Sequence, residues 1–119
     1  MRNFRELQVW EKAMDIGVKT YGLTRGFPSE EKFGLVSQLN RAAVSISSNI
    51  AEGASRSTNK DFRRFLEISI GSAFEVESQL LLAAKLNIVT ETDVADTLKE
   101  LNELQKMLSV FIKKLNSNT

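Results

Sequence analysis

The residues best equipped for chemistry lie between Gln38 and Glu75, in the run QLNRAAVSISSNIAEGASRSTNKDFRRFLEISIGSAFE. Arg41, Ser45, Ser48, Asn49 and Glu52 are spaced by three and four, which places them on one ridge of a helix. Arg56 follows in a polar turn, and Gly71, Ser72 and Glu75 fall on the next helix. Serine and asparagine compete with the backbone for hydrogen bonds and are poor interior helix formers, so four of them at 45, 47, 48 and 49 need a compensating role. One reading is a structural polar hub of Arg41, Ser45, Asn49, Glu52, Gly53, Gly71, Ser72 and Glu75 that fixes the turn and the helix register. In it Arg41 pairs with Glu52 or Glu75, and Asn49 satisfies carbonyls near Gly53. The other reading is a ligand or nucleic-acid contact.

Composition narrows the chemistry sharply. The chain has no cysteine, which excludes disulfides, thiolate metal sites and cysteine nucleophiles. It has no histidine, which removes the usual general base and the commonest zinc and copper ligand. The di-metal centres of helical bundles are built on Glu-x-x-His pairs, so they have no ligands here. A carboxylate magnesium site from Glu52, Glu75 and Glu77 is weaker than a charged-face explanation. Gly53 and Gly71 stand alone, outside any phosphate-binding loop pattern, and no base is positioned beside the serine-rich turn. The chain is expected to be no enzyme and to use no cofactor, catalytic residue, metal or small-molecule substrate.

A second group is basic. Arg56, Lys60, Arg63 and Arg64 could hold phosphates at the start of a helix, whose N-terminus itself favours anions. The alternative is a solvated charged face. Formal net charge is only +1, but Arg41–Arg64 carries five bases against two acids, and Phe65–Glu103 eight acids against two bases. RNA or DNA is therefore a candidate partner.

Hydrophobic periodicity supplies the elements that position these groups. Leu7, Trp10, Met14, Val18 and Tyr21 mark one face of a first helix, with Asn3 and Glu6 as a capping box and Gly26, Phe27 and Pro28 as its end. Ser29 caps a second helix, in which Gly34 could mark a break. Its seam is Val36, Leu39, Ala43, Ile46 and Ile50, and Gly53 is expected in a left-handed C-terminal cap. Thr58 with Asp61 opens a third helix whose core face holds Phe62, Phe65, Leu66, Ser69, Ala73, Val76, Leu80 and Ala83. Asn87 ends it. Thr90 with Asp93 opens a fourth, with Val94, Leu98, Leu101, Leu108, Ile112 and Leu115 inward, Gln105 interrupting the seam, and residues 116–119 as a tail.

Helices at about 5–25, 30–52, 59–86 and 91–115 predict one all-α domain over residues 1–119, an antiparallel up-down-up-down four-helix bundle. The third helix is apolar around more of its circumference than one core needs. Ile70, Phe74, Leu81 and Leu82 are therefore candidates for an oligomer interface. No stretch approaches the roughly 20 apolar residues of a membrane span, and the N-terminus lacks a signal-peptide pattern, so the expected location is cytoplasmic.

The combination of FRELQVWEKA, Tyr21, Phe27-Pro28, QLNRAAVSISSNIAEGASR and FRRFLEISIGSAFE resembles the family of 23S rRNA intervening-sequence proteins, from Phe4 to about Leu86. The resemblance implies a small bacterial four-helix bundle that assembles as a ring-like homopentamer, with no biochemical activity established for most members. It also implies kinship with accessory proteins of diversity-generating retroelements, basic pentamers that bind nucleic acid and a reverse transcriptase. Two departures stand out: Ser47 occupies a position where many relatives carry proline, and a net charge of +1 is far less basic than those accessory proteins. The expected function is a non-enzymatic oligomeric scaffold or adaptor, with an RNA- or DNA-binding accessory role as the alternative.

Overall fold

A computed structural model of the chain describes residues 2–117. Four helices account for nearly all of it: α1 (Gln8–Thr24), α2 (Leu35–Ala54), α3 (Asn59–Lys85) and α4 (Glu91–Ser117). Each helix packs on two neighbours, α1 on α2 and α4, and α3 on α2 and α4, so α1 and α3 occupy opposite corners. Pairs across each seam run in opposite senses. Arg2 N–H donates to the Ala54 carbonyl at 2.9 Å, while Thr24 Oγ1 reaches Asn40 Oδ1 at 2.9 Å. Gln38 meets Gln79 where Ser45 meets Ser72, and Glu77 meets Gln105 where Arg63 meets Leu115. The helices are thus antiparallel to their neighbours in a bundle 46 × 22 × 19 Å.

Local chemistry explains the ends. Thr58 Oγ1 accepts from Asp61 N–H at 3.1 Å, and Thr90 Oγ1 accepts from Asp93 N–H at 3.0 Å, so both expected caps are present. Asn87 adopts φ 59°, and Asn87 and Ile88 N–H donate to the Ala84 and Ala83 carbonyls, each at 3.0 Å. That is a Schellman ending with asparagine in the place usually taken by glycine.

Several boundaries differ from the sequence reading. Asn3 caps a separate 3₁₀ turn, Phe4–Glu6, by accepting from Arg5 N–H at 3.2 Å; Leu7 is then extended before α1 begins. Residues Ser29–Glu31 likewise form only a 3₁₀ turn, and Gly34 (φ −109°, ψ −111°) interrupts the chain before α2. Gly53 is not a left-handed cap. It lies inside α2 with no positive φ, and α2 ends one residue later. At the other terminus Asn116 and Ser117 continue α4, while residues 118 and 119 of the expected tail lie outside the described residues.

The core phase of α2, α3 and α4 matches the periodicity, with Leu39, Ile46, Ile50, Phe62, Leu66, Val76, Leu80, Leu101 and Leu108 fully buried. That of α1 does not. Its buried face is Val9, Ala13, Ile16, Thr20 and Thr24, while Met14, Val18 and Tyr21 of the expected stripe are exposed, Val18 by 72%. Thr20 can go inside because its hydroxyl donates to the Ile16 carbonyl at 2.8 Å, which removes most of the desolvation cost.

An ion-pair network zips α1 to α4. Lys12 pairs with Glu100 and with Glu103, the latter at 2.9 Å, and Lys19 pairs with Asp96 at 2.7 Å and Glu100 at 3.2 Å. Hydrogen bonding to Lys12 and then Lys19 holds the Glu100 carboxyl below its ordinary value, and the bonds to Glu100 and Asp96 push the two lysines up. A depressed carboxyl stabilises the fold above its unfolded pKa, near 4.5, and the contribution disappears as pH falls through the lower folded value. We therefore expect the stability lead of the wild type over Glu100→Gln, small because the pairs are partly solvated, to stay level near neutrality and shrink below about pH 4.5. Urea denaturation at several pH values measures it, and a lead that grows on acidification contradicts the network.

Candidate functional site

The polar hub is assembled by the α2–α3 packing. Ser45 Oγ and Ser72 Oγ are 2.8 Å apart, and Asn49 Nδ2 donates to the Ser45 carbonyl at 2.8 Å and to Ser45 Oγ at 2.9 Å. One turn deeper, the fully buried Ser69 donates to the Ile46 carbonyl at 2.8 Å. Sequence reasoning placed Ser69 on the apolar face and missed this bond. Its signal was the spacing of three that puts Ser69 beside Ser72. Gln38 and Gln79 were missed too; Gln79 Nε2 donates to Gln38 Oε1 at 3.2 Å across the same seam.

Gly53 belongs to this packing for a steric reason. A Cβ there would lie 2.8 Å from Phe65 Cβ and 2.9 Å from Phe62 Cδ1, so the absent side chain lets the end of α2 close onto the start of α3. Gly71 differs from it, because an added Cβ would meet nothing within 4 Å. It opens outward while Ser72 beside it turns in.

The charged members of the hub do not converge. Glu52 pairs with Arg56 at 3.1 Å, one turn along its own helix end. Arg41 pairs with neither Glu52 nor Glu75. Together with Gln38, Ala42 and Ser45, Arg41 and Glu75 line a shallow cleft of about 380 Å³. Glu77 accepts from the buried Gln105 at 2.9 Å on the opposite side of α3, which accounts for the polar interruption of the α4 seam. The three carboxylates considered for magnesium are therefore dispersed, and among the described residues no cluster of three acidic side chains could hold a metal ion.

The basic group is also divided. Arg56 stacks 4.6 Å over the Phe65 ring besides its Glu52 pair. Arg63 turns to α4 and donates to the Leu115 carbonyl at 3.3 Å near the negative end of that helix. Lys60 and Arg64 face solvent.

Of the candidate interface residues, Phe74 is 55% exposed and Leu81 and Leu82 are each 47% exposed, whereas Ile70 is half-buried against the core. Val110 of α4, exposed by 53%, was not anticipated; it shares a shallow hollow with Phe74, Asn102 and Lys106. Phe74 continues into a second hollow with Ser78, Leu81, Leu82 and Lys85. Phe74 thus joins a hollow on the α3–α4 seam to one on α3 itself, an apolar groove with Lys85 and Lys106 at its edges and Glu77 in its lining.

The hub makes a clear mutational prediction. Gly53→Ala forces Phe62 and Phe65 to move, and overpacking of this kind costs about 1–3 kcal/mol. Urea denaturation should show that loss; an unchanged midpoint would mean that the Phe62 ring and the α3 backbone at Phe65 yield freely.

Comparison with known proteins follows the same lines. A solved structure described as a protein of unknown function from the S23 ribosomal protein family of Bacteroides thetaiotaomicron VPI-5482 superposes with a TM-score of 0.82 at 27% identity. The match covers 88% of this chain and 98% of that one. No curated protein matches the chain. The family model for 23S rRNA-intervening sequence proteins matches residues 5–110, almost the whole of the four-helix bundle. The chain belongs to the 23S rRNA-intervening sequence protein family.

Proposed function

We propose that the chain is a non-enzymatic, homo-oligomeric helical scaffold or adaptor that works in the cytoplasm. The observation that carries this reading is the exposed apolar surface of α3, centred on Phe74, Leu81 and Leu82. These residues are outward because the inward face of α3 is committed to α2 and α4 through Ser69, Ser72 and Glu77. Covering a large apolar side chain completely gains about 1.5–3 kcal/mol, and a chain of 119 residues has a limited core of its own. A contiguous apolar patch on a soluble bundle is the usual mark of a protein interface. A ring of five copies is the assembly that the family resemblance supports.

The reading as an RNA- or DNA-binding module is the weaker one. Arg56 and Arg63 spend their charge on Glu52 and on the end of α4, which leaves Lys60 and Arg64 of the original four facing solvent.

Size-exclusion chromatography with light scattering tests the proposal. The wild type should elute as a multimer at micromolar concentration, and Phe74→Glu or Leu81→Glu should lower the mass toward the 13.3 kDa chain with helical content retained. A wild type that is monomeric throughout, or glutamate variants with unaltered mass, would overturn it.

A further inference from the structure

We infer that the surface covering the α3–α4 groove is the outer stripe of α1 from a second copy, in a head-to-tail contact. The inference rests on the self-association proposed above and specifies its geometry. Met14, Val18 and Tyr21 stand exposed on α1, with the half-buried Trp10 at one end of their stripe. Since α1 and α3 sit at opposite corners of the bundle, these two apolar surfaces face different sides of each subunit. Two different patches facing apart are what a heterologous interface requires, and such contacts close into rings when related by rotation.

Three further features match the two surfaces. The first is relief. A Cβ added at Gly17 or Gly22 would meet nothing within 4 Å, so the backbone on both sides of Val18 is open to a bulky side chain from another copy. The second is charge. Glu11 and Asp15 lie along the α1 stripe, and Lys85 and Lys106 line the groove hollows; none of the four makes an ion pair among the described residues. An isologous contact would instead bring Lys85 and Lys106 of two grooves together, with only Glu77, already engaged by Gln105, to offset them, which like-charge repulsion disfavours.

The third is height. Lys12 meets Glu100 and Glu103 across the α1–α4 seam, and Glu77 meets Gln105 across the α3–α4 seam. Counting along the antiparallel helices from these pairs, Met14 lies level with Leu82 of α3, whereas Phe74 lies level with the start of α1. Copies related by a simple rotation about an axis parallel to the bundle would therefore set the Trp10 and Met14 end of the stripe against the part of the groove around Ser78, Leu81 and Leu82.

The test uses two blocked variants of the full chain. Val18→Glu spoils the α1 stripe and leaves the groove intact; Phe74→Glu does the reverse. Both positions are exposed, and circular dichroism checks that each variant folds, with Met14→Glu as the second α1 variant should Val18→Glu fail. Each variant alone should run as a single chain. An equimolar mixture should yield a two-chain particle, because one intact stripe meets one intact groove. A Val18→Glu protein that assembles like the wild type, or a mixture that stays single-chain, overturns the head-to-tail contact. A monomeric wild type overturns self-association itself, so the two failures are separable.

Discussion

Everything outward-facing in this protein follows from how tightly α2 and α3 are locked together. Ser69 donates into the α2 backbone at Ile46, Ser45 and Ser72 share a hydrogen bond, and Gly53 lets the Phe62 ring and the Phe65 Cβ approach the helix itself. Buried hydroxyls of this kind are costly if misplaced, so they select one rotation of α3 about its axis and one register along α2. Once that rotation is set, Phe74, Leu81 and Leu82 have no route to the core. The polar hub and the apolar groove are two sides of one constraint.

The same logic applies to charge. The α1–α4 seam uses its lysines and carboxylates internally, the turn after α2 uses Arg56, and the end of α4 uses Arg63. Glu11 and Asp15 on one side, and Lys85 and Lys106 on the other, take no part in these pairs. Outside the ion pairs of the α1–α4 seam, the bundle thus carries acids beside the α1 stripe and lysines beside the apolar surface of α3, the complementarity on which the proposed contact rests.

Much of the fold was legible because its signals are local. Thr58, Thr90 and Asn87 carry cap chemistry that depends on a few neighbouring residues, and the long seams of α2, α3 and α4 repeat often enough to set their phase. The phase of α1 was misread because two of its faces are periodic. The larger stripe of Trp10, Met14, Val18 and Tyr21 outweighs Val9, Ala13, Ile16 and Thr20 in hydrophobicity, yet the smaller residues pack inside. Only the packing of α1, with Thr20 bonded back to the Ile16 carbonyl and Thr24 reaching Asn40 of α2, reveals that. The hub was legible as unusual serines and an asparagine, but their pairing needed the register between helices. Arg63 and Glu77 read as surface charges for the same reason, since their partners Leu115 and Gln105 are remote in sequence.

The central claim is that the exposed apolar surface of α3 exists to be covered by further copies of the chain in a closed ring. Native mass spectrometry of the intact protein tests it most directly. The account predicts one dominant species at five times the 13.3 kDa chain mass, with no ladder of longer oligomers. A spectrum of single chains, or of an open-ended series, would contradict it.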